Sequence, residues 1–123
     1  MLPGALIRGE DYLEALRWRT ALGREQARAL QHCDAFVTAA ALSVADPADP
    51  DALDRLVSAP SVTMPFSVGG LPAMAIPCGF SRAEGLPLSL QIAAAPFAEP
   101  TVLRIAHAYQ QATDWHQRHP KLA

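Results

Sequence analysis

Residues 63–92 read TMPFSVGGLPAMAIPCGFSRAEGLPLSLQI, and the order of turn formers and apolar residues in this stretch decides the fold. From Leu86 the pattern has a period of two. Leu86, Leu88, Leu90 and Ile92 face one way and Ser89, Gln91 and Ala93 the other, as on a β-strand. Ala73–Phe80 reads as a second strand, and Ser81 to Gly85 between them carries hairpin turn chemistry. Upstream, Pro60, Pro65, Gly69, Gly70, Pro72 and Pro77 argue against regular helix from Ser58 to Pro77, while the apolar content argues against a floppy linker. The expectation is a fixed, buried loop, in which Gly69 and Gly70 permit positive φ or close approach to a strand or a ligand. Gln91 is the long polar side chain of its face, and if that face is buried its amide needs a hydrogen-bond partner or a polar pocket.

Outward from this stretch the periodicity is helical. From about Glu10 to Cys33, Ala15, Trp18, Leu22, Ala29 and Cys33 share one side, flanked by Tyr12, Leu16 and Leu30. Glu10, Glu14, Arg17, Arg24 and Arg28 lie opposite, as a solvated face. Gly23 costs about 1 kcal/mol relative to Ala, so this helix needs support from packing. A short apolar run, 35–40, suits a buried strand. Asp46–Asp54 is an acidic run broken by prolines, read as a surface loop followed by a helical turn around Leu53 to Val57. Its spacing does not match a calcium-binding EF-hand. Glu99-Pro100 opens a last helix with Val102, Ile105, Ala106, Tyr109 and Thr113 inward, expected to run until Pro120 stops it. The fold class is therefore α/β or α+β: helices packed on a small mixed β-sheet that includes a hairpin.

The composition fits one small globular unit, residues 1–123, with 50% hydrophobic and 18% charged residues. A net charge of −2 leaves no electrostatic footprint for nucleic acid. No apolar run approaches the roughly 20 residues of a membrane span. Met1–Gly9 lacks the charged start and apolar stretch of a secretory signal, so the expected compartment is the cytoplasm. Cys33 and Cys78 are too few for a disulfide framework or a zinc site and read as small apolar side chains. No cofactor and no metal are expected.

Nucleophilic catalysis needs a Ser, Cys or Thr beside a base, with oxyanion donors nearby. The candidate bases are His32, His107, His116 and His119. His107 falls on an exposed helix face, and His116 and His119 on a terminal turn. His32 and Cys33 are sequence neighbours, which point apart on a helix. No G-x-S-x-G elbow, P-loop or dinucleotide fingerprint is present. Residue chemistry alone assigns no catalytic centre.

The run from Thr63 through Pro65-Phe66, Gly69-Gly70-Leu71-Pro72-Ala73 and Pro77-Cys78-Gly79-Phe80 resembles the C-terminal region of amidase signature enzymes. So do Gly85-Leu86-Pro87 to Leu90-Gln91-Ile92, the Phe97/Glu99 pair with the helix that follows, and the first helix with the Asp34–Thr38 strand. This family includes amide hydrolases and the A subunit of tRNA-dependent amidotransferases. The resemblance decides for the α/β class and implies a partial copy of an α/β/α fold. It also implies carboxamide hydrolysis through an acyl-enzyme, run by a Ser–Ser–Lys relay. The family's two relay serines lie in an upstream Gly/Ser-rich segment with no counterpart in this sequence. The sole lysine, Lys121, lies past the final helix and matches no catalytic position. No residue here therefore inherits a catalytic role.

The resemblance places Thr63, Ser67, Gly69, Gly70 and Gln91 nearest the substrate pocket. Ala39 stands where the family commonly has Pro, and Ser67 where it commonly has Asn, which removes hydrogen bonds from the loop beside the pocket. Two functional expectations follow. In the first, the chain is the C-terminal segment of an amidase-like hydrolase, inactive alone. In the second, it is a stand-alone, non-catalytic module pairing with an upstream amidase half, another partner chain or itself, because an isolated copy of these strands exposes sheet edges and apolar faces.

Overall fold

The alternating pattern of Leu88, Leu90 and Ile92 falls on the central strand of the sheet. A computed structural model describes residues 6–45 and 61–119. In chain order these form α1 (Gly9–Ala29), β1 (Ala35–Ala39), α2 (Met64–Gly69), β2 (Ala73–Phe80), β3 (Pro87–Ala94) and α3 (Glu99–Ala112), followed by a 3₁₀ turn, Trp115–Gln117. The sheet order is β1-β3-β2, with both pairings antiparallel. The expected hairpin is β2–β3. Its turn is closed by Ser81 N–H donating to the Leu86 carbonyl at 2.8 Å, and Gly85 takes φ +69°. A bulge at Cys78 shifts the register between Pro77 and Gly79.

The register sorts side chains onto two faces. Val37, Ile92 and Met74 lie in one cross-strand row, and Thr38, Gln91 and Ala75 in the next, on the opposite face. The first face packs under α3, where Ile76, Ile92, Ala94, Val102 and Ala106 form a buried cluster. Burial of each large aliphatic side chain there contributes about 1.5–3 kcal/mol. On the second face the Phe36 ring meets Phe66 of α2 at 5.6 Å between centroids. Helix α1 lies over α2 in turn, with Arg19 Nε donating to the Val68 carbonyl at 2.9 Å. The result is helix on sheet on helix, a layered arrangement that buries both sides of β3 from Gln91 to Ala94.

Three expectations need correction. The segment before β2 is not loop throughout, because Met64–Gly69 is a short helix. Pro65 occupies its first turn, where a missing N–H costs nothing, and the glycines end it instead of preventing it. The apolar stripe of α1 is largely uncovered: Trp18 is 70% exposed and Cys33 is exposed, while Gln26 is the buried residue of this helix. Its contacts run through the short α2, which is too small to cover the first half of α1. The last helix stops at Ala112, well before Pro120, and the Thr113 hydroxyl donates to the Tyr109 carbonyl at 2.9 Å at that end. The acidic run from Asp46 and the helical turn expected near Leu53 lie outside the described residues.

Candidate functional site

Four of the five candidate positions sit on α2 and its caps. Thr63 is the residue before the helix, and its hydroxyl lies 3.0 Å from Ser61 Oγ, which itself accepts from Met64 N–H at 3.2 Å. Ser67 spends its hydroxyl on its own helix, donating to the Thr63 carbonyl at 3.4 Å. Gly70 ends the helix in the left-handed region at φ +74°. Its N–H points to the Ser67 carbonyl, and Leu71 N–H reaches back to Phe66, which is the Schellman arrangement. Gly69 is small for another reason. A Cβ there would run into the Gln26 side chain, whose Nε2 donates to the Pro65 carbonyl at 2.9 Å.

The fifth candidate, Gln91, lies on β3 between Thr38 and Ala75 of the neighbouring strands. It shares the sheet face that α2 covers through Phe66 and Phe36. Gln91 is 4% exposed, and its carbonyl oxygen finds no donor among the described residues. The structure thus puts all five on one face of the sheet. It joins four of them in a single capped helix and leaves Gln91 on the strand beneath, without a hydrogen bond to any of the four. An open cleft of about 810 Å³ lies where β1 ends, lined by Thr38, Val44, Ala75, Cys78 and Ser89 among others. None of the five candidates lines it.

Sequence reasoning missed Gln26, which holds α2 in place through Pro65 and fills the space above Gly69. The signal was present, since position 26 continues the spacing of Leu22 and Ala29 and sets a polar amide in an apolar stripe.

Three further described hydroxyls and thiols outside the candidate set are engaged locally. Ser81 Oγ bonds Glu84, Cys33 Sγ points to the Ala29 carbonyl, and Thr38 Oγ1 to the Ala39 carbonyl. Among the described residues none of these hydroxyls or thiols hydrogen-bonds to a histidine. No group of three or more His, Cys, Asp or Glu among the described residues is placed to hold a metal ion. No described helix is long and apolar enough to cross a membrane.

Comparison with known proteins gives a consistent answer. Residues 3–103 match the family profile described as Amidase. The A subunit of glutamyl-tRNA(Gln) amidotransferase from Moorella thermoacetica is 41% identical over 113 residues, covering 90% of this chain and 23% of that protein. Its counterpart from Dechloromonas aromatica is 40% identical over 111 residues, covering 89% of this chain and 22% of that protein. Among solved structures, the A subunit of the same amidotransferase from Thermotoga maritima superposes with a TM-score of 0.66 at 27% identity, over 83% of this chain and 22% of its own. A crystal structure described as an amidase superposes with a TM-score of 0.71 at 26% identity, over 90% of this chain and 27% of its own. The chain therefore spans under a quarter of the length of these curated relatives.

Proposed function

This chain belongs to the amidase family, and from that premise we propose that it is the C-terminal sector of an amidase-type hydrolase. In this reading it supplies sheet strands and one wall of a carboxamide pocket, and the Ser–Ser–Lys relay comes from outside these 123 residues. The observation that carries the proposal is the mismatch in coverage. About 90% of the chain aligns to relatives of which it makes up only 23%.

Two features of the structure support it. Among the described residues β1 and β2 are the edge strands of the three-stranded sheet, each a row of backbone groups that a larger sheet would pair. The buried, donorless carbonyl of Gln91 faces the same side as the capped helix, where a substrate amide or a neighbouring segment would supply an N–H. Within the pocket wall, Thr63 and Ser67 offer hydroxyl oxygens as acceptors, Gly69 and Gly70 allow close backbone approach, and Gln91 accepts a hydrogen bond. None of them attacks the substrate.

The test is a domain exchange. The segment of the Moorella thermoacetica protein matching this chain is replaced by this chain, and a panel of simple carboxamides, glutamine among them, is assayed. Retained hydrolysis supports the sector reading, and a folded but inert chimera with an intact upstream relay counts against it.

A second reading rests on the open edges alone. A stand-alone module without catalysis would also use them to pair with another chain or with itself. The intact mass of the polypeptide from its own cell separates the two. A mass near 13.2 kDa favours the module, and a much larger one the sector.

A further inference from the structure

Between β3 and α3 the chain turns through Ala95-Pro96-Phe97-Ala98, and Ala98 N–H donates to the Ala95 carbonyl at 3.0 Å. Pro96 stands at the second turn position, where its fixed φ belongs, and Phe97 at the third takes φ +63°. That third position in the left-handed region is one for Gly or Asn, because a Cβ there crowds the backbone. Phe97 is the one non-glycine residue at positive φ among the described residues. It gains nothing locally from its ring, which is 92% exposed, the most of any large apolar side chain described. Its neighbour Ala98, by contrast, packs against the core under α3. A strained backbone carrying an unburied aromatic violates two local rules at one residue, and such violations persist where something else repays them.

We propose that Phe97 is a docking anchor, held out by its strained turn to insert into an apolar recess on the remaining part of the amidase-family fold. This rests on the sector reading above. The occupant follows from coverage: the relatives that match this chain along 90% of its length carry more than three times as much chain elsewhere, so a large surface exists to receive it. The turn fixes the ring beside the start of α3, so seating it would also fix that helix and the buried cluster beneath. An anchor preset by backbone geometry loses little conformational freedom on docking.

The experiment uses the isolated chain and the exchange chimera built in both the Moorella thermoacetica and Dechloromonas aromatica proteins. Hydroxyl-radical footprinting reads the ring directly, with no substitution. Phe97 is expected to react fully in the isolated chain and to lose reactivity several-fold in a chimera. Equal reactivity in a folded chimera and in the isolated chain overturns the anchor while leaving the sector reading standing. If neither chimera folds, the sector reading falls and the anchor with it. Phe97→Gly adds a second readout of opposite sign. It relieves the strain and is expected to raise the isolated chain's Tm by about 4 °C while lowering that of the chimera. A rise in both contexts overturns the anchor.

Discussion

The Gln26 carboxamide occupies the space that a side chain at position 69 would need, and from there its Nε2 holds the Pro65 carbonyl. With Arg19 on the Val68 carbonyl, it ties α2 to α1. Gln26 is 7% exposed, so displacing it strands a buried amide. Gly69→Ala is expected to destabilise the chain by about 1–2 kcal/mol, because the added methyl drives out a hydrogen-bonded side chain. Gln26→Ala is expected to cost a similar amount. Since both changes break one contact, the double variant should fall well short of the sum. Urea titration of the four proteins checks this, and strict additivity would show that the two residues act separately.

Gly70 closes α2 at φ +74°, in the Schellman geometry set by Leu71 and Phe66. Gly70→Ala should cost about 1–2 kcal/mol for the left-handed backbone, and Gly70→Asn clearly less. The ranking Gly above Asn above Ala in denaturation midpoint is the check. Among the described residues a Cβ at this position meets the tip of Arg19 alone, at 3.8 Å, so the effect is conformational and not steric.

Gln91 carries a donorless carbonyl in a buried setting. Gln91→Met keeps the volume and removes that acceptor, so the isolated chain should gain about 1 kcal/mol in stability. In the exchange chimera the same change should lower amide turnover, because the acceptor would be in use there. Stability gained alone and activity lost in context is the expected pair. A loss of stability in the isolated chain would mean that Gln91 is satisfied where it is.

Among the described residues β1 and β2 are edge strands, and with Trp18, Val37 and Leu103 exposed they predict association. On size exclusion the isolated chain is expected to run broad or above monomer size. A sharp monomer peak without detergent or partner would argue that these surfaces are self-sufficient.

The hairpin was legible in the sequence because its signals are local: alternating leucines from Leu86 and turn residues from Ser81 to Gly85. The inward stripe of α3 was legible for the same reason. Helix α2 was not, since Pro65 and Gly70 read as breakers until their places at the start and the end of one short helix are known. The exposure of Trp18 was beyond periodicity, which says which residues share a side but not whether anything covers it. The candidate positions came from family resemblance. The structure assigns four of them visible structural duties in α2 and leaves Gln91 as the one whose polar atom is unserved.

The most direct test of the central claim is the rate of carboxamide hydrolysis by the purified 123-residue chain alone. The account predicts no turnover above a buffer blank, because in the proposed reading the relay is supplied from outside this chain. Robust hydrolysis that disappears when one of the chain's own serines, Ser67 or Ser89 for example, is changed to Ala would contradict it.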